Sequence, residues 1–135
     1  MRNKGLRLTL ILISVSLIII YIINENKNKV FMIDSNNITS IIIQYKTQSL
    51  TIKDEKKVRE TLEKFAGLNF VSDRSSLGHK GWVYNIKIYS DNKQMYNFQI
   101  VSQDTIIYKN RFYITDSNNI DMDYFKELFL FSTNG

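Results

Sequence analysis

GWVYNIKIYSDNKQMYNFQI, residues 81–100, is the stretch that decides the fold. Trp82, Tyr84, Ile86 and Ile88 alternate with Val83, Asn85, Lys87 and Tyr89. A period of two puts the first set on one face of a strand and the second set on the other. Ser90-Asp91-Asn92-Lys93 is turn chemistry, because Asp and Asn tolerate left-handed backbone. Gln94 to Val101 then runs back with Tyr96, Phe98 and Ile100 facing inward. Two such runs joined by so short a turn must pair antiparallel.

The same signals continue on both sides of this hairpin. Downstream, Thr105–Tyr108 and Arg111–Thr115 form a second hairpin around Lys109-Asn110. Upstream, Ile38 to Tyr45 is rich in β-branched residues. Its Ile41-Ile42-Ile43 triplet breaks strict alternation, which predicts a central strand covered on both sides over part of its length. Short strands are expected at Val30–Ile33 and at Ser49–Lys53, and Asn69 to Gly81 reads as a long polar connection. Asp54 is placed to cap a helix over Glu55–Ala66, where Val58, Leu62 and Phe65 fall on one stripe. Gly67 is expected in the left-handed position just past its end. Asp121 caps a final helix, with Ile120 as staple and Phe125, Leu128 and Phe129 as its apolar stripe. The word DSNNI occurs at 34–38 and at 116–120, but its flanks differ, so it is reused turn chemistry.

Hairpins dominate and no βαβ series appears. The expected architecture is α+β: an antiparallel sheet of about five to six strands with two helices on one face.

Ahead of this domain stands LRLTLILISVSLIIIYIINENKNK, residues 6–29. Leu8 to Ile23 carries no charge and as a helix rises about 24 Å, against about 30 Å for a bilayer core. Arg2, Lys4 and Arg7 precede it, and no pair of small residues marks a cleavage site at its end. The expectation is a single N-terminal transmembrane helix retained as a signal-anchor over 8–23. Residues 1–7 would be a cytoplasmic basic segment, 24–29 a polar stalk, and 30–135 an extracytoplasmic α+β domain at the cell membrane. Membrane lipid is then the partner of that helix.

The 135 residues leave room for one folded domain. The net charge of +5 is inflated by the three basic residues before the apolar run. The remainder is close to balanced, too weakly basic to attract a phosphate backbone, so nucleic acid is not an expected partner. The chain has no cysteine, which excludes disulfides, thiolate metal sites and a cysteine nucleophile.

His79 is the single histidine, too few for an ordinary zinc site. Ser72, Ser75, Ser76 and Asp73 lie near it in sequence without a nucleophile elbow, so an exposed loop position is expected, with a binding role as the alternative. Asp121, Asp123 and Glu127 have capping and solvation as their simplest roles. No phosphate-cradling or dinucleotide glycine pattern occurs, and no cofactor is expected. Aromatic residues carry the better hint. Tyr89, Tyr108 and Tyr113, with His79, are the candidate partner-binding residues, because tyrosine gives contact area at low entropy cost.

LTIKDEKKVRETLEKF at 50–65, GWVYNIKIYSDNKQMYNFQI at 81–100 and IDMDYFKEL at 120–128 together resemble small secreted or membrane-attached domains of uncharacterised function from low-GC Gram-positive bacteria. The resemblance covers about residues 38–130 and implies a fold and a location, with no catalytic set to carry over. The functional expectation is a membrane-anchored binding module for a protein or a cell-envelope component, leaning away from enzyme. The alternatives are an envelope-directed hydrolase and a small accessory subunit of a larger membrane complex.

Overall fold

The computed structural model describes residues 2–27, 35–116 and 118–132. The chain divides into two compact units, Met1–Val30 and Phe31–Gly135.

The first unit is one helix, α1, Arg2–Lys27. It takes in the basic segment, the apolar run and part of the expected stalk. The large aliphatic side chains from Leu10 to Ile22 are exposed. Among the described residues no helix is long and apolar enough to cross a membrane, which overturns the transmembrane expectation.

Among its described residues the second unit holds seven strands: β1 Ser40–Tyr45, β2 Gln48–Ile52, β3 Phe70–Ser75, β4 Tyr84–Ser90, β5 Lys93–Ile100, β6 Thr105–Tyr108 and β7 Arg111–Thr115. They form one sheet in the order β2-β1-β4-β5-β6-β7-β3, and every pairing is antiparallel. α2, Glu55–Ala66, joins β2 to β3. Those strands are the two opposite edges, so this connection carries the chain across the full width of the sheet. α3, Met122–Ser132, follows β7.

The count exceeds the expected five to six because β3 lies inside the stretch read as a loop. Only Phe70 of β3 is buried, its other residues are exposed, and the register shifts between Ser72 and Ser75. An edge strand with one buried residue and an irregularity has no alternation to read. The strand expected at 30–33 lies outside the described residues.

Pairing register assigns the two faces. Ile41 and Ile43 sit opposite Ile88 and Ile86, Ile86 opposite Phe98, and Ile100 opposite Ile106. All of these are buried, beneath α2 and α3. Phe65 of α2 meets Phe98 edge-on at 5.2 Å, and Phe125 of α3 lies 5.6 Å from Phe65 and 5.5 Å from Tyr84. Ile42 points to the opposite face and is half-buried, so the isoleucine triplet is covered on one side only.

The helix caps form as expected. Lys57 N donates to Asp54 Oδ1 at 2.9 Å, and Tyr124 N donates to Asp121 Oδ1 at 3.1 Å. Gly67 does not take the left-handed conformation; its φ is −92° and ψ is 0°. The left-handed residues other than glycine are in the hairpin turns instead: Lys46, Asp91, Lys109 and Asn110, with φ of 52°, 51°, 47° and 61°. Two polar links fasten α2 to α3: Thr61 Oγ1 to Tyr124 Oη at 2.8 Å, and Lys64 Nζ to Asp121 Oδ2 at 3.0 Å.

Candidate functional site

Helices α2 and α3 occupy one face of the sheet, and the candidate site is on the other. Across that open face the register lines up Ser49, Gln44, Asn85, Gln99, Ile107 and Phe112, one from each strand from β2 to β7. The row changes character midway, polar over β2-β1-β4-β5 and apolar over β6-β7.

The apolar half bears a pocket. The segment after β3 folds over it, closed by a turn in which His79 N donates to Ser76 O at 3.0 Å, and fastened where Ser76 N donates to Asn110 O at 2.9 Å. Gly78, at φ 82°, gives that segment a bend that side-chain-bearing residues rarely adopt. The cavity beneath has a volume of about 510 Å³; Val101, Thr105, Phe112 and Ile114 come from the strands, and the 73–79 segment supplies the rest. Around it lie exposed apolar groups: Leu77 at 77% exposure, with Val71 and Ile114, which pair across β3 and β7. The charged rim is Asp73 with Arg74, whose Nη1 lies 3.4 Å from Asp73 Oδ2 and whose guanidinium stands 5.1 Å from the Phe112 ring.

His79 lines this pocket with its ring edge-on to Phe112 at 5.0 Å. Its Nε2 is hydrogen-bonded to Gly81 O at 3.0 Å, and Ser75 Oγ accepts from Leu77 N at 3.3 Å. Neither group is aimed at the other, so the geometry offers no nucleophile with its base. Among the described residues no group of three or more His, Asp or Glu side chains gathers to hold a metal ion. Asp121 is engaged as a helix cap and as the partner of Lys64. These contacts also move the groups' ionisation. The hydrogen bond from Lys64 holds the Asp121 carboxyl below its usual value and in turn raises the Lys64 ammonium. Hydrogen bonds from Ser102 and Thr105 lower Asp104, the residue just before β6.

The four residues singled out from sequence do not converge. Tyr89 is on the open face at the far end of β4 and donates to Gln94 Oε1 at 3.2 Å. Tyr108 and Tyr113 belong to the opposite face, with ring centroids 6.5 Å apart; Tyr96 extends their row, 6.4 Å from Tyr108. Phe112, Ile114 and the carboxamides Gln44, Asn85 and Gln99 were not singled out. The signal for Asn85 was available, since an amide in the middle of a β-branched strand is out of character.

Asn85 is the unusual member of the row. It is only 8% exposed. Its Nδ2 donates to Gln44 Oε1 at 2.8 Å, while its Oδ1 is sealed from solvent and accepts no hydrogen bond. Buried polar atoms are nearly always paired, so an orphaned acceptor calls for an explanation.

No protein-family model, no curated protein and no solved structure matches this chain.

Proposed function

We propose that this protein is a non-catalytic binding module that captures a protein or cell-envelope component on the open face of its sheet. The observation that carries the reading is the 510 Å³ pocket with Leu77 at 77% exposure at its rim. Contiguous exposed apolar surface of this kind marks an interaction site. The absence of a paired base and nucleophile at His79 favours binding over hydrolysis.

The lipid partnership of α1 belongs to the same proposal, without a crossing. Leu10 to Ile13 and Leu17 to Ile20 are two runs of four consecutive apolar residues, each exposed, so α1 is apolar all the way round. Thr9, Ser14 and Ser16 return their hydroxyls to carbonyls of their own helix. An exposed apolar helix preceded by basic residues suits contact with a lipid surface, whose acyl region offers these hydroxyls no partner. α1 thus concentrates the module at a membrane surface.

The test places a photo-crosslinking residue at Leu77, and separately at Lys56 on the exposed side of α2, in the full chain in its host cell. A discrete adduct from position 77, absent from position 56 and lost with Ile114→Glu, is the expected result. Equal adducts from both positions, or none from 77, overturn the reading.

A further inference from the structure

We propose that the carboxamide row Gln44-Asn85-Gln99 binds a neutral, extended, β-linked saccharide chain. This inference rests on the reading of the open face as a capture surface, and it names one chemical class for the envelope component.

Three features lead to this ligand. The row is built from groups that both donate and accept, as a sugar hydroxyl does, and none of the three carries charge. Gln44, Asn85 and Gln99 stand directly opposite one another on β1, β4 and β5, at the inter-strand interval of about 4.8 Å. That interval is close to the repeat of an extended β-1,4-linked hexose chain, so successive sugar units meet successive carboxamides. The third feature is Asn85 Oδ1, which is buried and accepts no hydrogen bond. Its unmet capacity is for a donor. A ligand hydroxyl admitted between the carboxamides supplies one, and the desolvation already imposed on the acceptor strengthens the bond it then makes.

The neighbouring groups agree with this choice. Ser49 continues the row on β2 with a hydroxyl. Lys87 is the charged residue on this face of β4, too little for an anionic polymer. A peptide laid on the face would bring backbone groups that need an edge strand to pair with, and the three carboxamides stand on β1, β4 and β5, none of which is an edge.

The test is a titration of the full chain, dispersed in a sugar-free non-ionic detergent and followed by side-chain amide NMR. The probes are cellotetraose and tetra-N-acetylchitotetraose, both uncharged, with α-linked maltotetraose as control. Saturable shifts of the Gln44, Asn85 and Gln99 amides with a β-linked probe, and none with maltotetraose, are expected. Gln99→Ala should weaken binding about tenfold, the loss of one well-made hydrogen bond. Asn85→Leu should abolish binding while keeping or raising the melting temperature, which separates a lost site from a lost fold. The proposal is overturned if neither β-linked probe shifts these signals, if maltotetraose shifts them equally, or if Asn85→Leu binds like the parent. Should the saccharides fail while Leu77 still crosslinks to a partner, the open face remains a capture surface and only the sugar assignment falls. Failure of both removes the functional reading itself.

Discussion

Replacing Asn85 with leucine should stabilise the α+β unit, an unusual result for a polar-to-apolar change in a strand beside the core. Asn85 Oδ1 is buried with no donor, and a polar group so placed costs about 1–3 kcal/mol. Leucine removes that penalty. It also removes the bond from Asn85 Nδ2 to Gln44 Oε1 at 2.8 Å, with a net loss of about 0.5–1.5 kcal/mol. Gln44 is half-buried, so its freed oxygen reaches water and leaves no second orphan. The balance is a gain of about 1 kcal/mol, or roughly 4 °C in Tm for a unit of this size. Urea titration and thermal melting measure it, with Asn85→Asp as the contrasting variant. The aspartate places a charge in the same sealed position and should destabilise strongly. If Asn85→Leu lowers stability by about 1 kcal/mol or more, Oδ1 has a donor in solution and the reasoning from an orphaned acceptor fails.

Four further outcomes follow from the packing. Thr61→Val removes the 2.8 Å bond to Tyr124 and leaves a part-buried phenol unpaired, so it should cost about 1–2 kcal/mol by chemical denaturation. Asn110→Ala forces alanine into a φ of 61° and should cost about 1–2 kcal/mol. Asp121 has a lowered folded pKa, so its charge contributes stability above the unfolded carboxylate value and loses it as pH falls through the folded one. Asp121→Asn keeps the cap but not the charge, and its stability deficit should shrink from neutral pH toward pH about 3; a deficit constant with pH would contradict this. Tyr84 is raised by burial, so its contribution is complete below pH about 10 and lost as pH rises through the higher folded value. Tyr84→Phe should therefore resist alkaline unfolding better than the parent.

Local chemistry was legible in the sequence wherever one residue type acts alone. Asp54 and Asp121 cap their helices because a short acidic side chain reaches back to amides that have no other partner. The two downstream hairpins follow from alternation and from turn residues that accept positive φ. Strand β3 was not legible, since an edge strand with Phe70 alone buried needs β7 beside it before its pattern means anything. Gly67 was misread because the chain leaves α2 toward the far edge of the sheet, and a bridge-region φ of −92° takes it there. Length misled at α1, a continuous helix from Arg2 to Lys27 that, among the described residues, is not long and apolar enough to cross a membrane.

The candidate site divides in the same way. His79 and the segment around it stood out as polar, glycine-bearing loop, and the pocket is there. The tyrosines stood out by type, but strand parity separates Tyr89 from Tyr108 and Tyr113 by the thickness of the sheet. The carboxamide row is a product of register across three strands. Only the strand order brings Gln44, Asn85 and Gln99 together.

The most direct measurement is hydroxyl-radical footprinting of the full chain, in its host membrane fraction and after purification. Leu77 and His79 on the open face should be protected severalfold in the membrane fraction, while Phe131, 75% exposed on α3, reacts equally in both. Equal labelling of Leu77 and His79 in the two states, or protection confined to α3, would contradict the assignment of the uncovered sheet face as the binding surface.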